Sequence, residues 1–208
     1  MNNSRTTVAS AAGALLAGTS VWAARNPPPE WELALTERIN RLPAAGVRAL
    51  YPIMQLGAGA APVVVSGLVL AARRDPAEAA VIAVAGLGSW AAAKVVKAIV
   101  GRERPAKYLP RLHVREVDGS GLGFPSGHAA VAAAMATTIA AVLPVSRPVL
   151  ATTAAAVGVA RIVFGMHLPV DVVGGYALGL VMGVLTLAVA ERPGSFTVGG
   201  SGPRESSC

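Results

Sequence analysis

Apolar residues along this chain come in long unbroken runs, not in the alternation of a half-buried strand. Stretches without a single charged residue cover Thr6–Ala24 (19 residues), Ala49–Ala72 (24) and Val172–Ala190 (19). A helix that crosses a bilayer needs ~20 apolar residues, so each is long enough. Six apolar segments can be marked, at roughly 6–24, 49–72, 77–99, 127–145, 148–166 and 169–190. Between the first two lies RNPPPEWELALTERINRLPAAG, where Trp31, Leu33–Leu35, Ile39 and Leu42 recur near helical spacing with charges between them. That pattern, opened by Pro27–Pro29, predicts an amphipathic helix on the membrane surface. The whole predicts an all-α polytopic membrane bundle of about six transmembrane helices plus one interfacial helix, a single domain over residues 1–190. The Gly/Ser/Pro-rich stretch 191–208 is predicted to be a disordered tail. The first segment also fits a cleavable signal peptide, with Arg5 ahead of it and small residues near its end.

Composition agrees with the pattern. Hydrophobic residues make up 53% of the 208 and charged residues only 14%, where a soluble domain carries about 25% charged. The net charge of +7 does not point to nucleic acid, because the basic residues form no continuous stripe and no aromatic-interleaved patch. Most stand at the edges of apolar runs, where anionic head groups or a phosphate meet them. Cys208 is the single cysteine, so no internal disulfide forms, and it is read as a thiol on the tail. Trp22, Trp31 and Tyr51 suit interfacial anchoring. Gly86, Gly88, Gly174, Gly175 and Gly179 suit close helix packing.

The remaining charges are placed unevenly. Lys97 falls in the last turns of the third segment, His128 opens the fourth, Arg161 lies near the end of the fifth, and His167 and Asp171 flank the start of the sixth. Consecutive spans run in opposite directions, so these five residues share one side of the membrane. Ionisable groups beside membrane spans are costly and mark a functional site by default. Lys94 alone would be read as a snorkelling side chain, and His113, Glu103, Glu116 and Asp118 as loop charges.

Three stretches carry the chemistry. KAIVGRERP sets Lys97 seven residues before Arg104, one helix face if the helix continues that far. PSGH offers Ser126 as N-cap and Gly127 as a point of close backbone approach, and the following helix start is an anion site. RIVFGMHLPVD supplies Arg161, His167 and Asp171, with Pro169 suited to a first helical turn.

In order and spacing the three resemble the type 2 phosphatidic acid phosphatase family, whose pattern is Lys-x6-Arg-Pro, Pro-Ser-Gly-His and Ser-Arg-x5-His-x3-Asp. Its members include membrane lipid phosphatases, and its phosphate pocket is shared with vanadium haloperoxidases and bacterial acid phosphatases. The resemblance implies that His167 is the nucleophile and forms a phosphohistidine. It implies that Asp171 orients His167, and that His128 is the acid and base. Phosphate would then be held by Lys97, Arg104, Arg161, Ser126 and Gly127. It implies no cofactor and no metal, since three fixed cations neutralise the developing charge. The substrate implied is a lipid phosphate or diphosphate, polyprenyl or phosphatidyl, met in the bilayer. Site residues at head-group level would let its tail enter sideways between spans, where Gly174, Gly175 and Gly179 leave room or pack neighbouring helices. One position departs from the pattern: Ala160 stands where the family has serine, which removes a donor. Two other functions share the pocket, a phospholipid-binding or transport protein and a vanadate-dependent peroxidase. The histidine pair backed by Asp171 argues for the hydrolase. For orientation, the excess of Arg and Lys on the site face would put that face in the cytoplasm, whereas the resemblance implies the extracytoplasmic face of a bacterial plasma membrane.

Overall fold

The computed structural model describes residues 3–116 and 121–191, and among them every regular element is helical. Eight α-helices follow in order: α1 (Asn3–Arg25), α2 (Glu30–Asn40), α3 (Ala44–Gln55), α4 (Ala61–Arg73), α5 (Pro76–Val100), α6 (Gly127–Val142), α7 (Arg147–Val163) and α8 (Pro169–Ala190). Three of them, α1, α5 and α8, are long and apolar enough to cross a membrane. The protein is a polytopic helical membrane bundle. The tail expected to be disordered, Cys208 and Asp118 lie outside the described residues.

Helix α6 is the centre. Every residue from Ala129 to Met135 on it is buried, and it packs against α5, α7 and α8. Its closest partner is α8, where Gly175, Gly179 and Gly183 face it at intervals of four. A Cβ on Gly175 or Gly179 would strike the carbonyl oxygens of Ser126 and Ala130, and one on Gly183 would stand 2.8 Å from Thr137 Cβ. Gly174 packs just as tightly on the Phe124 ring. Small residues let backbones approach where lipid supplies no hydrophobic drive between helices. These glycines are therefore the packing contacts expected of them, and of the two readings it is the room for a substrate tail that falls away. Hydroxyls within the helices satisfy themselves on the preceding turn, as Ser89 does on Ala85 at 2.7 Å.

Two expectations need revision. The apolar stretch 49–72 is two helices, α3 and α4, separated at residues 56–60. Gly57 and Gly59 are weak helix formers, and Pro62 starts the next helix. The break has a packing reason too, since a Cβ at Gly57 would meet the His128 carbonyl oxygen at 2.5 Å. At 13 residues, α4 is ~20 Å long, short of a ~30 Å hydrocarbon core. Helix α2 is amphipathic, but with its polar stripe inward. Glu32, Thr36 and Asn40 are buried, while Trp31, Leu35 and Leu42 are exposed. Two of its members reach polar groups elsewhere in the bundle, Glu32 at Arg102 and Val170 and Asn40, while the Thr36 hydroxyl donates to the Glu32 carbonyl of its own helix at 2.7 Å. Asn40 holds the carbonyls of Val163 and His113.

Helix α1 packs along α8, and its Arg5 pairs with Glu191 at the far end of α8. That places the start of α1 and the end of α8 at one end of the bundle. The ends of α5 and α7 and the starts of α6 and α8 lie at the other.

Candidate active site

Helix α5 stops at Gly101, whose φ of 70° closes the last turn in the left-handed region that favours glycine. Lys97 and Arg104 therefore do not share a helix face. The chain leaves the helix and turns back, and Arg104 precedes a 3₁₀ turn, Pro105–Lys107. Lys97 Nζ donates to the carbonyls of Leu122 at 3.0 Å and Gly123 at 2.8 Å. The same segment is fastened again where Gly123 N–H donates to Arg102 O at 2.6 Å. Lys94, by contrast, stands over the Trp90 ring at 3.5 Å, outside the cluster.

Ser126 caps α6, its hydroxyl oxygen accepting from Ala129 N–H at 3.4 Å. Its own N–H donates to the Asp171 carbonyl at 2.8 Å, so the start of α6 is joined to the first turn of α8. Gly127 and His128 follow as first-turn residues, whose N–H groups have no partner within a helix. A Cβ on Gly127 would meet only Ala93, at 3.9 Å. Packing does not require glycine there, as it does at Gly175.

His167 ends the short α7–α8 connection, fully surrounded by protein. Its Nδ1 faces Asp171 Oδ2 at 3.6 Å, an ion-pair distance and too long for a hydrogen bond. Nδ1 is turned to the carboxylate, so Nε2 is the nitrogen left for chemistry. Burial holds the imidazole well below its ordinary pKa, and the charges of Lys97, Arg161 and Arg104 push the same way. The ring is neutral in the resting protein. The same three cations and His167 act electrostatically on His128. Lys97, Arg104 and Arg161 thus each come within electrostatic range of both histidines.

Arg161, near the end of α7, is buried and forms a two-pronged pair with Glu116, its Nη2 donating to Oε2 at 3.2 Å. Its Nη1 also rests on Met54 Sδ at 3.2 Å. Ala160 sits in an apolar cluster with Val47, Met54, Val163 and Phe164. His113 is exposed.

The residues that sequence reasoning missed are Arg102 and Glu32. Asp171 Oδ2 accepts from Leu168 N–H at 2.9 Å, and Oδ1 accepts from Arg102 Nη1 at 2.9 Å. Arg102 Nη2 donates in turn to Glu32 Oε2 at 2.6 Å. Glu32 Oε1 accepts the Val170 N–H at 2.8 Å, so a carboxylate from α2 caps the first turn of α8. The Arg102 guanidinium lies 5.3 Å from the centre of the Trp22 ring, which gives Trp22 a contact beyond interfacial anchoring. Burial works against the Arg102 cation, but Glu32 and Asp171 more than offset it, and its pKa is raised.

Known proteins resemble this chain in sequence and in fold. The chain is 35% identical over 133 residues to a decaprenylphosphoryl-5-phosphoribose phosphatase of Mycolicibacterium smegmatis, covering 62% of this chain and 69% of that one. It is 33% identical over 110 residues to phosphatidylglycerophosphatase B of Bacillus subtilis, covering 48% and 51%. Among solved structures, Aquifex aeolicus LpxE superposes with a TM-score of 0.67 at 22% identity, over 75% of this chain and 94% of that one. A PAP2-type phosphatidylglycerolphosphate phosphatase from Bacillus subtilis does so with 0.64 at 20% identity, over 88% and 94%. At these identities the superpositions speak for the fold. The family model described as the PAP2 superfamily matches residues 78–194, more than half of the chain, and the protein belongs to that superfamily.

Proposed function

We propose that the protein is a metal-independent membrane phosphatase that hydrolyses lipid phosphate or diphosphate through a phosphohistidine. One observation carries the reading. A buried neutral histidine backed by a carboxylate, a second histidine and three cations converge at helix ends on one side of a membrane bundle. The named relatives support it, since they are phosphatases of a decaprenylphosphoryl sugar and of phosphatidylglycerophosphate.

In the proposed reaction His167 Nε2 attacks phosphorus as the bond to the leaving oxygen breaks. His128 gives that oxygen its proton, and Asp171 takes the charge-assisted hydrogen bond from Nδ1–H of the imidazolium. Water, deprotonated by His128, then attacks phosphorus, the P–N bond breaks, and inorganic phosphate and neutral His167 are restored. Lys97, Arg104 and Arg161 neutralise the non-bridging oxygens, with the Ser126 hydroxyl and the Gly127 N–H as further donors. The donor set supplies three positive charges where other phosphoryl-transfer sites use metal ions. The 3.6 Å between His167 Nδ1 and Asp171 Oδ2 lies within ion-pair reach of the imidazolium that forms on attack.

A lipid substrate suits helix ends at head-group level. The tail would lie along a crevice of about 710 Å³ among α1, α6, α7 and α8, lined in its apolar part by Ala133, Ala136, Ala151, Ala154, Leu180 and Val184 and reaching Arg5 and Arg147 at the far end of the bundle. The crevice does not reach the histidines. It begins near Tyr176, five residues along α8 from Asp171 and so about 7.5 Å deeper. The test is kcat/KM for long-chain against short-chain and water-soluble phosphomonoesters at matched detergent. A buried tail contributes ~0.8 kcal/mol per methylene until the crevice is full, so equal values would overturn lipid recognition.

The proposal includes an extracytoplasmic site in a bacterial plasma membrane. In a Cys208→Ser background, an impermeant thiol reagent should label Arg111→Cys from outside intact cells and spare Arg74→Cys. The reverse pattern would put the site in the cytoplasm.

A further inference from the structure

Asp171 has both oxygens committed before it meets His167. Oδ1 is held by Arg102 and Oδ2 by the Leu168 N–H, which fixes the rotation of the carboxylate. The same Oδ2 stands 3.6 Å from His167 Nδ1. Arg102 is fixed in its turn from three sides, by Glu32, by the Trp22 face, and by its own backbone, whose carbonyl carries Gly123. Arg102, Glu32 and Asp171 are exposed by only 4%, 0% and 0%, so water does not screen their charges.

Charge balance shows what Glu32 adds. In an isolated Arg102–Asp171 pair the cation would offset part of the attraction between the Asp171 carboxylate and an imidazolium at His167. Glu32 engages the guanidinium through Nη2, as well as Nη1 at 3.4 Å. Two carboxylates on one guanidinium leave the buried chain with one net negative charge, against the ring that becomes positive when it attacks phosphorus. Buried ions cost several kcal/mol each unless paired, so such a chain is not incidental to the packing.

We propose that Arg102 and Glu32 are positioning residues for the His167 chemistry, acting through Asp171 as the ion-paired chain Glu32–Arg102–Asp171. This rests on the reading of His167 as the nucleophile. It differs from a purely structural clamp between α2 and α8, which would support the fold without favouring the transition state.

The experiment is a double-mutant cycle on the purified full-length protein, with dioleoyl phosphatidic acid in micelles. Wild type and His167→Ala in the same assay report on the underlying reading, separately from the cycle. Glu32→Gln keeps the shape and the acceptor for Val170 N–H while removing the charge. It should lower kcat by ~10–100-fold, the usual cost of losing an outer orienting partner, with KM changed less than about twofold. In the Asp171→Asn background the same substitution should cost less than about twofold, because effects that pass through one residue do not add. Should Glu32→Gln fail to fold, Arg102→Lys is read by the same cycle. It keeps a cation but loses the planar fork whose two nitrogens hold the two carboxylates. Turnover of Glu32→Gln within about twofold of wild type, or a loss that multiplies in full upon Asp171→Asn, overturns the proposal.

Discussion

The Ser126 N–H and the Asp171 carbonyl oxygen are 2.8 Å apart, and that bond sets where the two histidine-bearing elements stand relative to one another. His128 is two residues from one end of it and His167 four from the other. The bond can form because Gly175 lets α8 approach the carbonyl of Ser126. Position within the site is thus a consequence of helix packing one turn below it.

Two glycine substitutions should therefore behave oppositely. Gly175→Ala pushes a methyl group into the Ser126 carbonyl and stands 2.9 Å from Ala129 Cβ. Overpacking of this kind costs ~1–3 kcal/mol, so its thermal midpoint and its kcat should both fall. Gly127→Ala meets only Ala93 at 3.9 Å and should fold normally, with KM raised where the methyl crowds phosphate. Equal thermal loss in both variants would contradict this division of roles.

Glu116 engages Arg161 with both carboxylate oxygens, on the guanidinium proposed to hold phosphate. Substrate and carboxylate then compete for one cation. Glu116→Gln should lower KM about three- to tenfold, ~0.7–1.4 kcal/mol of binding, and should strengthen inhibition by orthovanadate, which adopts the geometry of the transferring phosphoryl group. An unchanged KM and vanadate affinity would show that phosphate does not displace Glu116.

Acid should weaken the fold through His167. Its folded-state pKa lies well below the ordinary value because of burial and then of the neighbouring cations. The unfolded chain therefore takes up a proton, below pH about 6.5, that the folded chain refuses. Stability is full above that pH and declines as pH falls beneath it. Thermal midpoints of wild type should drop between pH about 6.5 and 5 more steeply than those of His167→Gln. Parallel curves would place the acid sensitivity elsewhere.

Much of this was legible in the sequence, and the misses have physical causes. The clustering of Lys97, His128, Arg161, His167 and Asp171 followed from helix alternation alone, and Ser126 and Pro169 mark helix starts by their chemistry. Helix α2 misled because apolar periodicity points to the bilayer-facing side when the inward face is polar. The usable signal was the other stripe, Glu32, Thr36 and Asn40 at intervals of four, which is costly to present to lipid and so turns inward, where Glu32 and Asn40 find partners. Arg102 was hidden between Lys97 and Arg104, where a spacing rule treats the intervening residues as neutral filler. The division of 49–72 was half legible, since Gly57, Gly59 and Pro62 are local break signals, while the contact of Gly57 with the backbone of His128 is long-range and no local propensity encodes it.

The central claim is that His167 is the nucleophile of a metal-independent lipid phosphatase. It is tested most directly by phosphate release from a long-chain lipid phosphate by the purified protein in excess EDTA, with His167→Ala alongside. Wild type should turn over unimpaired by the chelator while His167→Ala stays at background. Near wild-type release by His167→Ala, or turnover by wild type only after a divalent metal is restored, would contradict the claim.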